Sequence, residues 1–151
     1  MLEVVLIALL ILANGVFAMA EMAVVSANRL RLQRLADGGN QGARTAARLV
    51  EEPNDLLATV QVGITLIAVL SGAFGGAALA EPLAQWLSRW EWLAPYAFPV
   101  AMAAVVVLIT YASLVVGELV PKRLALNAPE RIASRLAGLM TAISRVTAPL
   151  V

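Results

Sequence analysis

The sequence of 151 residues contains no cysteine and no histidine. Disulfides, thiolate chemistry, haem ligation and the usual zinc or copper sites are excluded together. Any metal held by this chain has to accept oxygen ligands, which favours hard cations such as magnesium or sodium. Charge is scarce too: 14% of the residues are charged and 61% are hydrophobic, where a soluble domain has roughly a quarter and about half. With a mean hydropathy of +0.84, the composition is that of an integral membrane protein. A net charge of +1 offers nucleic acid no basic surface. The chain also lacks paired deep carboxylates, so no acid–base pair or activated nucleophile is visible and an enzyme is not expected.

What is present is three long apolar runs. The first extends from about Leu2 to Ser26, enough for the ~20 residues that a bilayer crossing needs. Met1-Leu2-Glu3 forms no basic leader and no convincing cleavage site follows, so this run is expected to be a span and not a removable signal. Asn14, Ala18 and Glu21 share one helical face. Asn14 suits either a ligand or an interhelical hydrogen bond, and Glu21 either a charge beside a site or a snorkelling interfacial group. From Ala27 to Glu52 the chain turns polar and basic. Leu30, Leu32, Leu35 and Leu49 suit two short amphipathic surface helices separated by the turn Asp37-Gly38-Gly39-Asn40.

Pro53-Asn54-Asp55 reads as a helix start with Asn54 or Asp55 as the cap, and the second run covers about Leu56 to Ala80. One of its faces carries Gln61, Thr65, Ala68, Gly72 and Gly75/Gly76. Stripes of small residues commonly serve helix packing in lipid, while Gln61 and Thr65 also supply oxygens and Gly63 a backbone carbonyl. Glu81-Pro82 is expected to close this span. Trp86, Trp90, Trp92 and Tyr96 then mark one membrane interface, and the third run follows from about Phe98 to Val120. Beyond it, Asn127-Ala128-Pro129-Glu130 reads as the cap of a juxtamembrane amphipathic helix over about 129–150, with Leu136, Met140, Ile143 and Val146 on its apolar side.

Five basic residues lie between Ala27 and Glu52, five between Lys122 and Val151, and only Arg89 lies in the loop joining spans two and three. The positive-inside rule therefore puts the basic segments in the cytoplasm and the N-terminus outside. The expected fold is all-α integral membrane: a single domain of three transmembrane helices, with cytoplasmic amphipathic helices after the first and third. A soluble cytoplasmic domain is expected after residue 151.

The chemistry gathers at Gly117-Glu118-Leu119-Val120-Pro121-Lys122. Pro121 has no N–H, so the Gly117 carbonyl loses its helical partner, and the proline ring pushes against it. Freed carbonyls persist inside a membrane only where protein or a wet cavity covers them. Here the freed oxygen neighbours a carboxylate, a combination suited to a cation. Glu118 and Lys122, four residues apart, equally suit an ordinary ion pair at the membrane edge. Tyr111 is seven residues before Glu118, on the same α-helical face, and is expected to orient the carboxylate.

Four stretches together resemble the membrane domain of the CorC/CNNM family of magnesium transporters. They are Ala13-Asn14-Gly15-Val16-Phe17-Ala18-Met19-Ala20-Glu21, Ser26 through Arg34, Thr59-Val60-Gln61-Val62-Gly63-Ile64-Thr65-Leu66, and Gly117 through Lys122 followed by Pro129-Glu130-Arg131. The resemblance implies a homodimer of three-span subunits in the inner (plasma) membrane. It also implies a magnesium site in each membrane domain, export coupled to sodium, and a nucleotide-binding CBS domain following in the full-length chain. Glu118 takes the position of the family's essential acidic residue. Gln61, Gly63 and Thr65 match the second-helix element that faces the site. Asn14 and Ala18 stand where animal relatives have serine, so Ala18 offers only its backbone, and Gly117 offers its freed carbonyl. The function expected is magnesium transport; the alternative is a membrane-embedded cation sensor that sets the posture of its own cytoplasmic domain without transporting.

Overall fold

The computed structural model describes residues 2–147, and among them every regular element is helical. Helix α1 (Leu2–Ser26) is the first span, and α2 (Arg29–Asp37) and α3 (Gln41–Glu51) follow it as a short hairpin. Asn28 caps α2, its side chain accepting from the Leu30 and Arg31 amides, and Asn40 caps α3 by accepting from Ala43. Gly39 between them has φ +91°, a left-handed turn that glycine adopts without strain. The second span comprises α4 (Asn54–Gly75), a wide π-helical turn over Gly76–Ala80, and α5 (Glu81–Leu87). A single 3-10 turn, Ala94–Tyr96, leads into the third, built from α6 (Ala97–Leu114), a second π turn over Val115–Leu119, and α7 (Val120–Asn127). Helix α8 (Pro129–Thr147) completes the described chain.

The segments Leu2–Ser26, Asn54–Leu87 and Ala94–Asn127 are each long and apolar enough to cross a membrane. The protein is multi-pass, with α2, α3 and α8 in the segments where the sequence predicts helices outside the spans. Four local expectations need correcting. The cap before the second span is neither Asn54 nor Asp55: the Pro53 carbonyl already accepts from the Leu57 amide at 2.9 Å, which draws Asn54 into the helix. The helix of the second span does not stop at Glu81-Pro82 but continues to Leu87, and that of the third continues past Pro121 to Asn127. Asn127 ends α7 instead of capping α8, whose first turn forms on the Ala128 carbonyl, bonded to the Ile132 amide. The buried side of α8 is Ala133, Ala137 and Met140, whereas Val146 is exposed. Residues 148–150 of the expected helix lie outside the described residues.

Each π turn ends two residues before a proline, Pro82 or Pro121. A proline cannot donate to the carbonyl four residues back and clashes with it. Widening the preceding turn to an i→i+5 pattern relieves that crowding, as in the bond from the Val120 amide to the Val115 carbonyl. The helices therefore pass the prolines without a break.

Helix α1 is the central post. It packs against α4, α7, α8 and the second π turn. One buried group joins its end (Ala20, Ala23, Val24) to Leu32, Ala43, Leu56, Val60, Ala133 and Met140, tying α2, α3 and α8 beneath the spans. A second group, Ile7, Ile11, Ala80, Val105 and Ile109, holds the opposite end. Between the two lies a cleft.

Candidate cation site

The site begins with the missing proline N–H. The Gly117 carbonyl, freed by Pro121, accepts a 3.0 Å hydrogen bond from Asn14 Nδ2, which reaches across from α1. Glycines make that approach possible on both sides. A Cβ at position 117 would lie 3.0 Å from Asn14 Nδ2 and 3.2 Å from the Ile11 carbonyl. One at position 15 would lie 3.0 Å from Pro121 Cγ and 3.3 Å from the Val116 carbonyl. Asn14 is only 8% exposed, and its Oδ1 has no hydrogen-bond partner.

Asn14 lines a cleft of about 290 Å³ between α1, α4 and α6. Its polar lining comes from Asn14, Ser71, Thr110, Ser113 and Glu118, and its walls are aliphatic, including Ile64, Ile67 and Val105. Ser71 is 2% exposed, and its Oγ is also without a partner. Nearly all buried polar atoms in proteins find a partner, so two such oxygens on residues that line one cleft are exceptions that call for an explanation. Among the described residues no three acidic side chains gather. A cation held here would meet one carboxylate and several neutral oxygens.

Glu118 sits at the cleft with its side chain 42% exposed, and its Oε1 accepts a 2.8 Å hydrogen bond from Lys122 Nζ. The same Nζ lies 3.6 Å from Glu21 Oε2 on α1. The i,i+4 ion pair anticipated from sequence is therefore formed, and Glu118 borders the cleft at the same time.

Of the residues singled out by sequence, Asn14, Gly117 and Glu118 come together. Ala18 is fully buried between helices. Gly63 faces Phe17, whose ring atoms would lie 2.9 to 3.1 Å from an added Cβ, so this glycine admits an aromatic ring. Thr65 Oγ1 donates to the Gln61 carbonyl at 2.8 Å, and both residues are exposed, outside the cleft lining. Farther along the same stripe, Ala68, Gly72 and Gly76 do line it. Tyr111 does not orient Glu118: it is 65% exposed and lies away from the cleft. The π turn adds a residue between them, so Thr110, eight positions before Glu118, borders the cleft with it. Ser71, Thr110 and Ser113 line the cleft without having been singled out by sequence; in an apolar helix, a lone hydroxyl carries no signal of its own.

Comparison with known proteins finds similarity along the whole chain. Residues 5–151 match the family CNNM, whose description is "Cyclin M transmembrane N-terminal domain". The UPF0053 protein sll0260 of Synechocystis is 50% identical over 150 residues, covering 99% of this chain and 34% of that protein. The polyamine export protein of Haemophilus influenzae is 33% identical over 145 residues, 94% of this chain and 33% of that protein. The protein of the same name in Escherichia coli K12 is 30% identical over 149 residues, 99% of this chain and 33% of its own length. The chain thus spans about a third of the length of the curated relatives it matches.

Proposed function

The chain belongs to the CNNM family, the Cyclin M transmembrane N-terminal domain, and on that premise we propose that it is the membrane part of a cation exporter. The observation that carries the reading is that Asn14 and Ser71, each with a buried side-chain oxygen that lacks a partner, line the same cleft as Glu118. Ionisable groups within a span are costly and are kept where they serve ions or substrates.

The proposed cargo is magnesium. It takes about six oxygens at ~2.1 Å and keeps some of its water, a demand that Glu118, Asn14, Ser71, Thr110 and Ser113 meet together with water. Gln61 and Thr65 join the ligand set, with the Gly63, Ala18 and Gly117 backbones around it, when the spans rock between the two faces of the membrane. Sodium entry drives export. The protein works as a homodimer in the plasma membrane, N-terminus outside and basic helices inside, and its posture is governed by a cytoplasmic domain of the full-length chain. A second reading, in which the cargo is a polyamine, is favoured by the name of two relatives and by the aliphatic walls of the cleft. A methylene chain would lie against those walls, with one ammonium on Glu118.

The test is uptake and efflux of magnesium and of putrescine in liposomes containing the full-length protein, wild type beside Glu118→Gln, with binding measured on the same preparations. Flux of either cation in the wild type, lost in the variant with its fold intact, supports the exporter and names the cargo. Binding without flux in the wild type identifies a cation sensor instead. Flux and binding untouched by Glu118→Gln refute the site.

A further inference from the structure

The geometry points to Lys122 as a tethered cation that occupies Glu118 while the site is empty and transfers to Glu21 when cargo arrives. This inference rests on the cation reading above and adds to it the means of release.

Three charges from two helices meet around Lys122, and one of them, Glu118, lines the cleft. Lys122 Nζ makes a direct hydrogen bond to Glu118 Oε1 at 2.8 Å and stands 3.6 Å from Glu21 Oε2. All three side chains are partly covered, at 26%, 29% and 42% exposure for Lys122, Glu21 and Glu118. Lysine carries its charge on a flexible four-carbon stem, so closing the longer contact and opening the shorter one takes side-chain torsions and no helix movement. The three groups together carry one net negative charge. A cation entering the cleft competes with the ammonium for Glu118, and Glu21 gives the displaced ammonium a place to go.

An exposed i,i+4 pair contributes little to stability, so the pair alone does not explain a second carboxylate brought in from α1. Release does. A transport site must bind well enough to load and weakly enough to empty. Without Lys122, nothing would compete with the cation for Glu118, and it would stay. With Lys122 returning to Glu118, the cation is displaced from its only charged ligand. Lys122 is a positioning residue in this scheme, and so is Glu21; neither needs to touch the cargo.

The scheme assigns opposite signs to neighbouring residues. Magnesium affinity is measured by titration calorimetry on the full-length protein, with putrescine run in parallel, for wild type, Lys122→Gln, Lys122→Arg, Glu21→Gln and the Glu21→Gln/Lys122→Gln double variant. Removing the ammonium is expected to tighten binding by about tenfold or more and to lower maximal flux, while Glu21→Gln weakens binding by roughly a few-fold. The Glu21→Gln penalty shrinks once Lys122 is gone, because no ammonium then needs its carboxylate. Lys122→Arg, which keeps the charge, stays near wild type and serves as the folded control if the glutamine variant does not purify as a single species. Binding unchanged or weakened in Lys122→Gln overturns the inference, as does an equal Glu21→Gln penalty in both backgrounds, which would mean that Glu21 attracts the cation directly. A wild type that binds neither cation removes the cation reading, and this inference with it.

Discussion

Replacing Pro121 with alanine returns an N–H to the position whose i−4 carbonyl now depends on another helix. The consequence is a coupling with Asn14, 107 residues away by the difference in number. Asn14→Ala removes the 3.0 Å bond to the Gly117 carbonyl and leaves that oxygen buried among apolar neighbours. An unmade buried partner costs ~1–3 kcal/mol in water-soluble proteins, and interhelical bonds in membranes average ~0.6 and reach ~1.7 kcal/mol. The same truncation deletes Asn14 Oδ1, which has no partner to lose, so part of the loss is offset and the expected net destabilisation is about 1 kcal/mol. In the Pro121→Ala background the restored N–H is available to the Gly117 carbonyl, and the Asn14→Ala loss should fall nearly to zero. Pro121→Ala also gives up packing of Cγ near Gly15, but that term appears in both arms of the double-mutant cycle and cancels. Reversible unfolding by SDS in mixed micelles, on wild type, the two single variants and the double variant, measures the coupling. The expected value is about 1 kcal/mol, and one below ~0.5 kcal/mol, the usual limit of additivity between independent sites, would refute the link between the proline and the asparagine.

Two further outcomes test other parts of the structure. Gly42→Ala should destabilise by ~1–3 kcal/mol, although alanine is the better helix former, because the new Cβ would overlap the backbone carbonyl of Ser134, which has no rotamer to yield; a rise in the unfolding midpoint would show that α3 does not seat on α8 as described. Ser71→Ala should leave stability unchanged or raise it by up to ~1 kcal/mol, since its buried hydroxyl has no partner, while weakening magnesium or putrescine binding; a loss of stability with binding intact would show a structural hydroxyl.

The three long apolar helices, the basic helices that follow the first and third, and the Gly117 carbonyl given up to another helix were legible because each follows from a strong local rule: apolar length, charge distribution, and the missing proline N–H. The Asn14 contact was half-legible. Sequence offered a ligand or an interhelical bond as alternatives, and the amide divides between them, with Nδ2 used on Gly117 and Oδ1 left free. At Gly63 a carbonyl ligand and a gap for a ring look alike in sequence, and only the position of Phe17 shows the gap.

The Tyr111 expectation failed for a reason that is itself local. Counting seven residues as two turns assumes an α-helix throughout, and Pro121 had already removed the bond that keeps that count. The extra residue in Val115–Leu119 turns Tyr111 outward and brings Thr110 to the cleft. The proline that frees the Gly117 carbonyl therefore also selects which hydroxyl of the third span accompanies Glu118. The same geometry recurs before Pro82, where the widened turn covers Gly76–Ala80. There no carboxylate lies within the turn, and Gly76 contributes only a small wall to the cleft. Two prolines thus widen two helices beside one cavity, and the position of Glu118 inside one of those turns determines at which of them a charge meets the cleft.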